Sequence, residues 1–127
     1  MPEKINWTLN VQVVGGPKIS ASQTTTVDAY DKIQVTVEAG ETDKVVEVQP
    51  GPVGRVQFLS IGSKQFGDDL TYKVNAAGGP ISLDAQQLLI GDGAVGLLGA
   101  APETLSFTNN LAEPVDIEIL VGRKVTA

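Results

Sequence analysis

Along most of this chain, apolar and polar residues alternate with a period of two. The alternation is strongest near the end, where Val115, Ile117, Ile119 and Val121 fall on one side and Asp116 and Glu118 on the other. A β-branched run of this kind is a strand with one face in a core and one in water. Pro114 stands just before it and Gly122 ends the regular alternation, positions at which a strand tolerates those residues. Leu105 and Phe107 alternate within Thr104–Thr108. The intervening Asn109–Glu113, with two asparagines suited to turn conformations, predicts a hairpin on which the other strands assemble.

Ile5, Trp7, Leu9, Val11 and Val13 alternate with Asn6, Thr8, Asn10 and Gln12, which predicts a strand with Trp7 in the core. Gly15-Gly16-Pro17 stops it, and the Ser/Thr-rich run Ile19–Thr26 reads as a more exposed strand. Further strands are predicted at Ile33–Val37, Val45–Val48, Arg55–Ile61, Leu70–Val74 and Ile81–Leu83. In Arg55–Ile61, Val56 and Phe58 point inward and Leu59 and Ile61 slip out of phase, as across a β-bulge. Asp84–Ile90 is the one place where a helical turn is expected, capped by Asp84. Eight to ten short strands separated by turn signals predict an all-β chain: an antiparallel β-sandwich, jelly-roll-like, forming a single domain over 1–127.

Composition narrows the chemistry. With no cysteine and no histidine, the chain has no thiolate and no imidazole, so the commonest metal ligands and the commonest general base are missing. The net charge is −6 and the nine basic residues are scattered, which leaves no basic stripe for nucleic acid. Met1–Asn6 does not read as a secretory signal. The apolar stretch Leu88–Ala101 is short for a membrane span and contains Asp92. The expectation is a soluble, cytoplasmic protein, or one associated with a virion, with no nucleic-acid or membrane partner.

Gly91-Asp92-Gly93-Ala94-Val95-Gly96 spells the three-glycine dinucleotide pattern. That chemistry needs a helix opening at the last glycine, and Pro102 cuts the following segment after about one turn. A Gly-rich turn between strands is the better reading, and no cofactor is expected. The acidic groups Glu38, Glu41, Asp43, Glu47 and Asp68-Asp69 lack calcium-loop spacing and read as solvated turns. Ser63-Lys64 and Ser20 with Lys18 are formal nucleophile–base pairs without a catalytic neighbourhood. Asn6-Trp7-Thr8 spells a glycosylation acceptor in mid-strand, where it is incidental. The chain is therefore expected to be non-enzymatic, with no catalytic residue and no metal.

Two features remain. The outward faces Asn6, Thr8, Asn10, Gln12, then Ser20, Ser22, Thr24, Thr26, and then Gln34, Thr36 are neutral, where isolated sheets are usually guarded by charge. Such faces suit contact with another subunit or a sugar. In addition, Leu88, Leu89, Ile90, Val95, Leu97 and Leu98 lie in a Gly-rich run almost free of charge. With Leu120 they are expected to form an apolar interface. The favoured function is a structural subunit that assembles as a homo-oligomer, by fold analogy with phage and virion parts and other repetitive shells. The alternative is a small-ligand or carbohydrate-binding module that uses Trp7 or Tyr72 as a stacking platform. Gly78-Gly79-Pro80 echoes Gly15-Gly16-Pro17, and both read simply as strand terminators.

Overall fold

The computed structural model of the chain describes residues 3–49, 55–75, 77–98 and 102–124, with the backbone alone at 77–79. In chain order the strands are β1 (Glu3–Gln12), β2 (Lys18–Val27), β3 (Ala29–Val37), β4 (Lys44–Glu47) and β5 (Arg55–Ser63). They continue with β6 (Leu70–Val74), β7 (Ala77–Ser82), β8 (Gln87–Ile90), β9 (Thr104–Asn109) and β10 (Val115–Lys124). A one-turn helix α1 (Asp92–Val95) and a 3-10 turn (Gly96–Leu98) sit between β8 and β9.

Strands β3 to β10 form two four-stranded antiparallel sheets, ordered β3-β10-β5-β8 and β4-β9-β6-β7. The pairs β3·β10, β4·β9, β5·β8 and β6·β7 nest one inside another along the sequence. The chain thus runs as one long hairpin rolled into two layers, and the β10·β5 and β9·β6 pairings join its halves. This is the jelly roll that the alternation predicts.

The alternating face of β10 does what its sequence demands. Val115, Ile117, Ile119 and Val121 are buried and meet Leu105, Phe107, Leu70, Tyr72 and Leu59 in one core. The expected bulge in β5 is present: Gly122 pairs with Phe58 and Arg123 with Val56, which leaves Gln57 unpaired. The bulge turns Phe58 the other way from the prediction. Val56, Leu59 and Ile61 enter the core, while Phe58 lies on the outer side of the sheet.

Of the buried polar residues Gln49, Ser106, Asn109 and Arg123, two tie elements of the fold together. The Asn109 amide donates to the carbonyls of Val37, at 3.0 Å, and Glu113, at 2.9 Å, and its Oδ1 accepts from Leu111 N–H at 2.9 Å. It joins the end of one sheet to the loop that leads into the other. Past the bulge, buried Arg123 donates to Asp31 at 2.5 Å.

Several expectations need correction. Thr104–Thr108 and Val115–Val121 are strands, but they do not form a hairpin: β9 and β10 lie in different sheets, and the loop between them crosses the sandwich. The Asp84–Ile90 segment gives strand β8, and the helical turn comes later, at Asp92–Val95. The three-glycine pattern coincides with that turn, which starts at Gly91 with φ 93°. The second Gly-Gly-Pro lies within β7, an edge strand, where proline costs no ladder bond. The clean alternation of Ile5–Val13 does not supply a strand of the sandwich: among the described residues β1 pairs with β2, in a separate two-stranded sheet, and Trp7 is half-buried rather than in the core.

Replacing Asp31 with alanine should cost about 2 kcal/mol, because it removes a charge-assisted hydrogen bond to the buried Arg123 guanidinium; urea denaturation measures it. Burial pushes the Tyr72 phenol up from 10.0 to about 12. The folded state holds that proton more tightly, so its contribution is complete below pH 10 and is lost as the pH rises toward 12. The loss should be about 2–3 kcal/mol, and Tyr72→Phe should flatten that part of the stability–pH profile.

Candidate functional site

The β1–β2 hairpin is an arm that leaves the sandwich. Its ten residue pairs run from Glu3↔Val27 to Gln12↔Lys18, a length of about 33 Å. At the tip, Gly16 N–H donates to the Val13 carbonyl, with Gly15 at φ 74°; a type II turn requires such a positive φ at its third residue. At the root, the arm packs on the outer side of the β3-β10-β5-β8 sheet. A Cβ on Gly122 would lie 2.6 Å from the Ile5 side chain and 3.1 Å from that of Val27. Glycine therefore allows this close approach, and Val27 and Phe58 are buried beneath it.

Opposed residues in an antiparallel ribbon share a face, so the arm has two distinct sides. One carries Lys4, Asn6, Thr8, Asn10 and Gln12 against Thr26, Thr24, Ser22, Ser20 and Lys18, with hydrogen bonds from Thr24 to Asn6 (2.7 Å) and from Ser20 to Asn10 (2.9 Å). The other carries Ile5, Trp7, Leu9 and Val11 against Ile19, Ala21, Gln23 and Thr25, and Trp7 Nε1 donates to Thr25 at 3.1 Å. Beyond the root this apolar side is open to solvent: Val11 is 47% exposed and Ile19 64%.

Next to the root, the outer sheet face is apolar as well. The pairing places Tyr30, Gly122, Phe58 and Ile90 in one row and Lys32, Leu120, Ser60 and Leu88 in the next. Leu120 and Leu88, far apart in sequence, are thereby brought onto one surface. Of the remaining expected interface residues, Leu97 is 82% exposed. Leu89 and Leu98 pack against the core, and Val95 lies within it, 4% exposed. Val95 is therefore unavailable to a partner: the helical turn directs it inward under β5 and β8. Tyr72 is also withdrawn from the surface. It is 1% exposed, its ring centroid 5.8 Å from that of Phe107, and its hydroxyl donates to Gln87 at 2.5 Å. A stacking platform needs an open ring face, which buried Tyr72 lacks; Trp7 is half-buried on the arm.

Farther along the same outer face lies a groove of about 580 Å³ lined by Gln34, Thr36, Lys64, Gln86, Asp116 and Glu118, among others. Sequence reading did not find it, because it gathers side chains from three strands and two loops. Its polar groups are already paired. Gln34 donates to Glu118 at 3.0 Å, Thr36 to Asp116 at 2.7 Å, and Lys64 lies 3.4 Å from Asp116. Lys64 thus pairs with a carboxylate, and the Ser63 Oγ accepts from Gln65 N–H at 3.3 Å. Ser20 is spent on Asn10 in the arm. Among the acids, Glu41 accepts from Glu38 N–H and pairs with Lys44 at 3.6 Å, closing an exposed turn.

The Thr36 hydroxyl, followed by Lys64, holds the Asp116 carboxyl below its usual range. These contacts therefore favour the fold above the ordinary carboxyl pKa, and the benefit disappears as the pH falls through the lowered one. Carboxyl titration by NMR should show this depression, and Thr36→Val should move the midpoint back up. No protein-family model, curated protein or solved structure matches this chain.

Proposed function

We propose that this chain is a non-catalytic structural subunit that assembles with copies of itself through the β1–β2 arm. The observation that carries the reading is the apolar side of the arm, open to water from Leu9 to Ile19. A lone two-stranded ribbon is marginal in water, and apolar surface left exposed on it favours association. Both long edges of the arm have free ladder groups among the described residues, yet no charged side chain lies between Lys4 and Lys18 or between Lys18 and Asp28. Monomeric sheets guard such edges with charge.

Charge also favours a second copy as the partner. The arm carries Glu3, Lys4 and Lys18, a net of +1, so the rest of the chain carries −7. A basic partner would seek the acidic sandwich, whereas an acidic chain that binds itself must do so through its neutral part. By fold analogy, jelly rolls serve shells and other repetitive assemblies because rigid sheets present fixed surfaces for symmetric contacts. The competing reading, a carbohydrate or small-ligand module, has less behind it. Trp7 is its one remaining platform, and the lining of the polar groove contains no aromatic residue.

Light scattering on the full chain should give the mass of a closed oligomer. Placing aspartate at Val11 and lysine at the opposed Ile19, unlike charges that keep the ribbon paired, should weaken association by about two orders of magnitude, if each substitution removes roughly 1–2 kcal/mol. The circular dichroism spectrum should not change, since neither side chain touches the sandwich core. A wild-type monomer at about 100 µM, a concentration at which contacts worth about 6 kcal/mol already persist, would overturn the reading.

A further inference from the structure

We infer that the arm of one copy lays its apolar side across the outer β3-β10-β5-β8 face of a second copy, over Leu120, Leu88 and Ile90, and that the exchange is reciprocal. The inference rests on the self-assembly reading and adds the acceptor site. Its precedent lies within each chain, where Ile5 and Val27 of the arm already pack on Gly122 and Phe58 of this same face. Leu120 and Leu88 stand one row farther on, and Ile90 completes the row of Phe58. An incoming arm would therefore continue a packing that the fold has begun, between two surfaces of the same character. The charges that border the strip are already engaged: Lys32 lies 3.8 Å from Glu118, which also accepts from Gln34.

Area decides between a single contact and an exchange. Beyond the root, the seven residue pairs from Asn6↔Thr24 to Gln12↔Lys18 offer about 230 Å² on one side, so one arm on one sheet buries about 460 Å² counting both surfaces, about half of the roughly 1,000 Å² of a specific interface. Two such contacts, related by a two-fold axis, bury about 900 Å², close to that value. Reciprocity also closes the assembly: each arm is received and each strip is covered.

The chain has no cysteine, so introduced thiols report contacts cleanly. The variants are V11C, L9C and L88C alone, and the doubles V11C/L88C and L9C/L88C; the two doubles allow for the unknown register of the docked arm. A disulfide needs Cα atoms within about 7 Å. Under mild oxidation at least one double variant should form a covalent dimer, while each single variant stays monomeric on a non-reducing gel. Leu120→Lys should raise the dissociation constant at least tenfold without altering the circular dichroism spectrum.

If V11C or L9C alone cross-links, the arms face each other, and the acceptor site is wrong while self-assembly stands. An oligomer by light scattering that cross-links in neither double variant also removes the site and leaves the assembly. A monomer by light scattering removes both.

Discussion

Strand β10 is the constraint on which the rest of the architecture depends. It is paired along both edges, with β3 on one side and β5 on the other, and its inner side chains Val115, Ile117, Ile119 and Val121 form the floor of the core. A strand placed so late in the sequence can pair with β3 only if everything between them is rolled up and enclosed. The nested pairs β4·β9, β5·β8 and β6·β7 follow from that closure. The period-two register of β10 also fixes which side of each neighbour faces inward, because opposed residues share a face. A slip of one residue would put Asp116 and Glu118 among Leu105 and Phe107, which no desolvated carboxylate would tolerate.

The same strand sets where the arm attaches. After Val121 the alternation reaches Gly122, and the β5 bulge opposite it sends Phe58 outward. An outward phenylalanine needs a cover. Ile5 and Val27 provide it, and the absence of a side chain at position 122 lets them close in. The root of the arm is thus part of the fold, whereas the tip is not. Among the described residues, the apolar side of the ribbon from Leu9 outward is open to solvent. The local pattern that makes β1 and β2 such clear strands therefore comes without a core of their own to fill.

This explains what was legible in the sequence. Period-two alternation located the strands because it is a local property: Leu70–Val74 was readable to the residue, and the β5 phase slip foretold a bulge. Alternation reports that a strand has two unlike faces but not which sheet it joins or what covers it. Hence Thr104–Thr108 and Val115–Val121 read as a hairpin although they lie in opposite layers, and Trp7 read as core although it lies on the arm. The Gly-rich segment illustrates the same limit. Leu89, Val95 and Leu98 turn toward the core while Leu88 and Leu97 turn away, a division set by tertiary packing within a run of uniform apolarity. Even so, the pairing of Leu120 with Leu88 through Ser60 places two residues suspected from composition on one surface. The arm did have a readable signature: two strands of equal length, almost free of charge, meeting symmetrically at Gly15-Gly16-Pro17.

How the charge is partitioned says what kind of contact the molecule can make. Each copy carries its negative charge on the sandwich and almost none on the arm, and the outer sheet face includes Asp116 and Glu118 beside the apolar strip. On that face the two acids are matched by Lys32 and Lys64, so repulsion between two copies would come from the net negative charge of the whole sandwiches. An intervening ribbon changes the distance. Stacked sheets lie about 10 Å apart, so a neutral arm between two sandwiches holds their charged faces at least that far from each other. The screening length at physiological ionic strength is about 8 Å, so most of the repulsion across such a gap is suppressed. On the self-assembly proposed above, the apolar side of the arm would then supply attraction through a part of the chain that carries almost no charge.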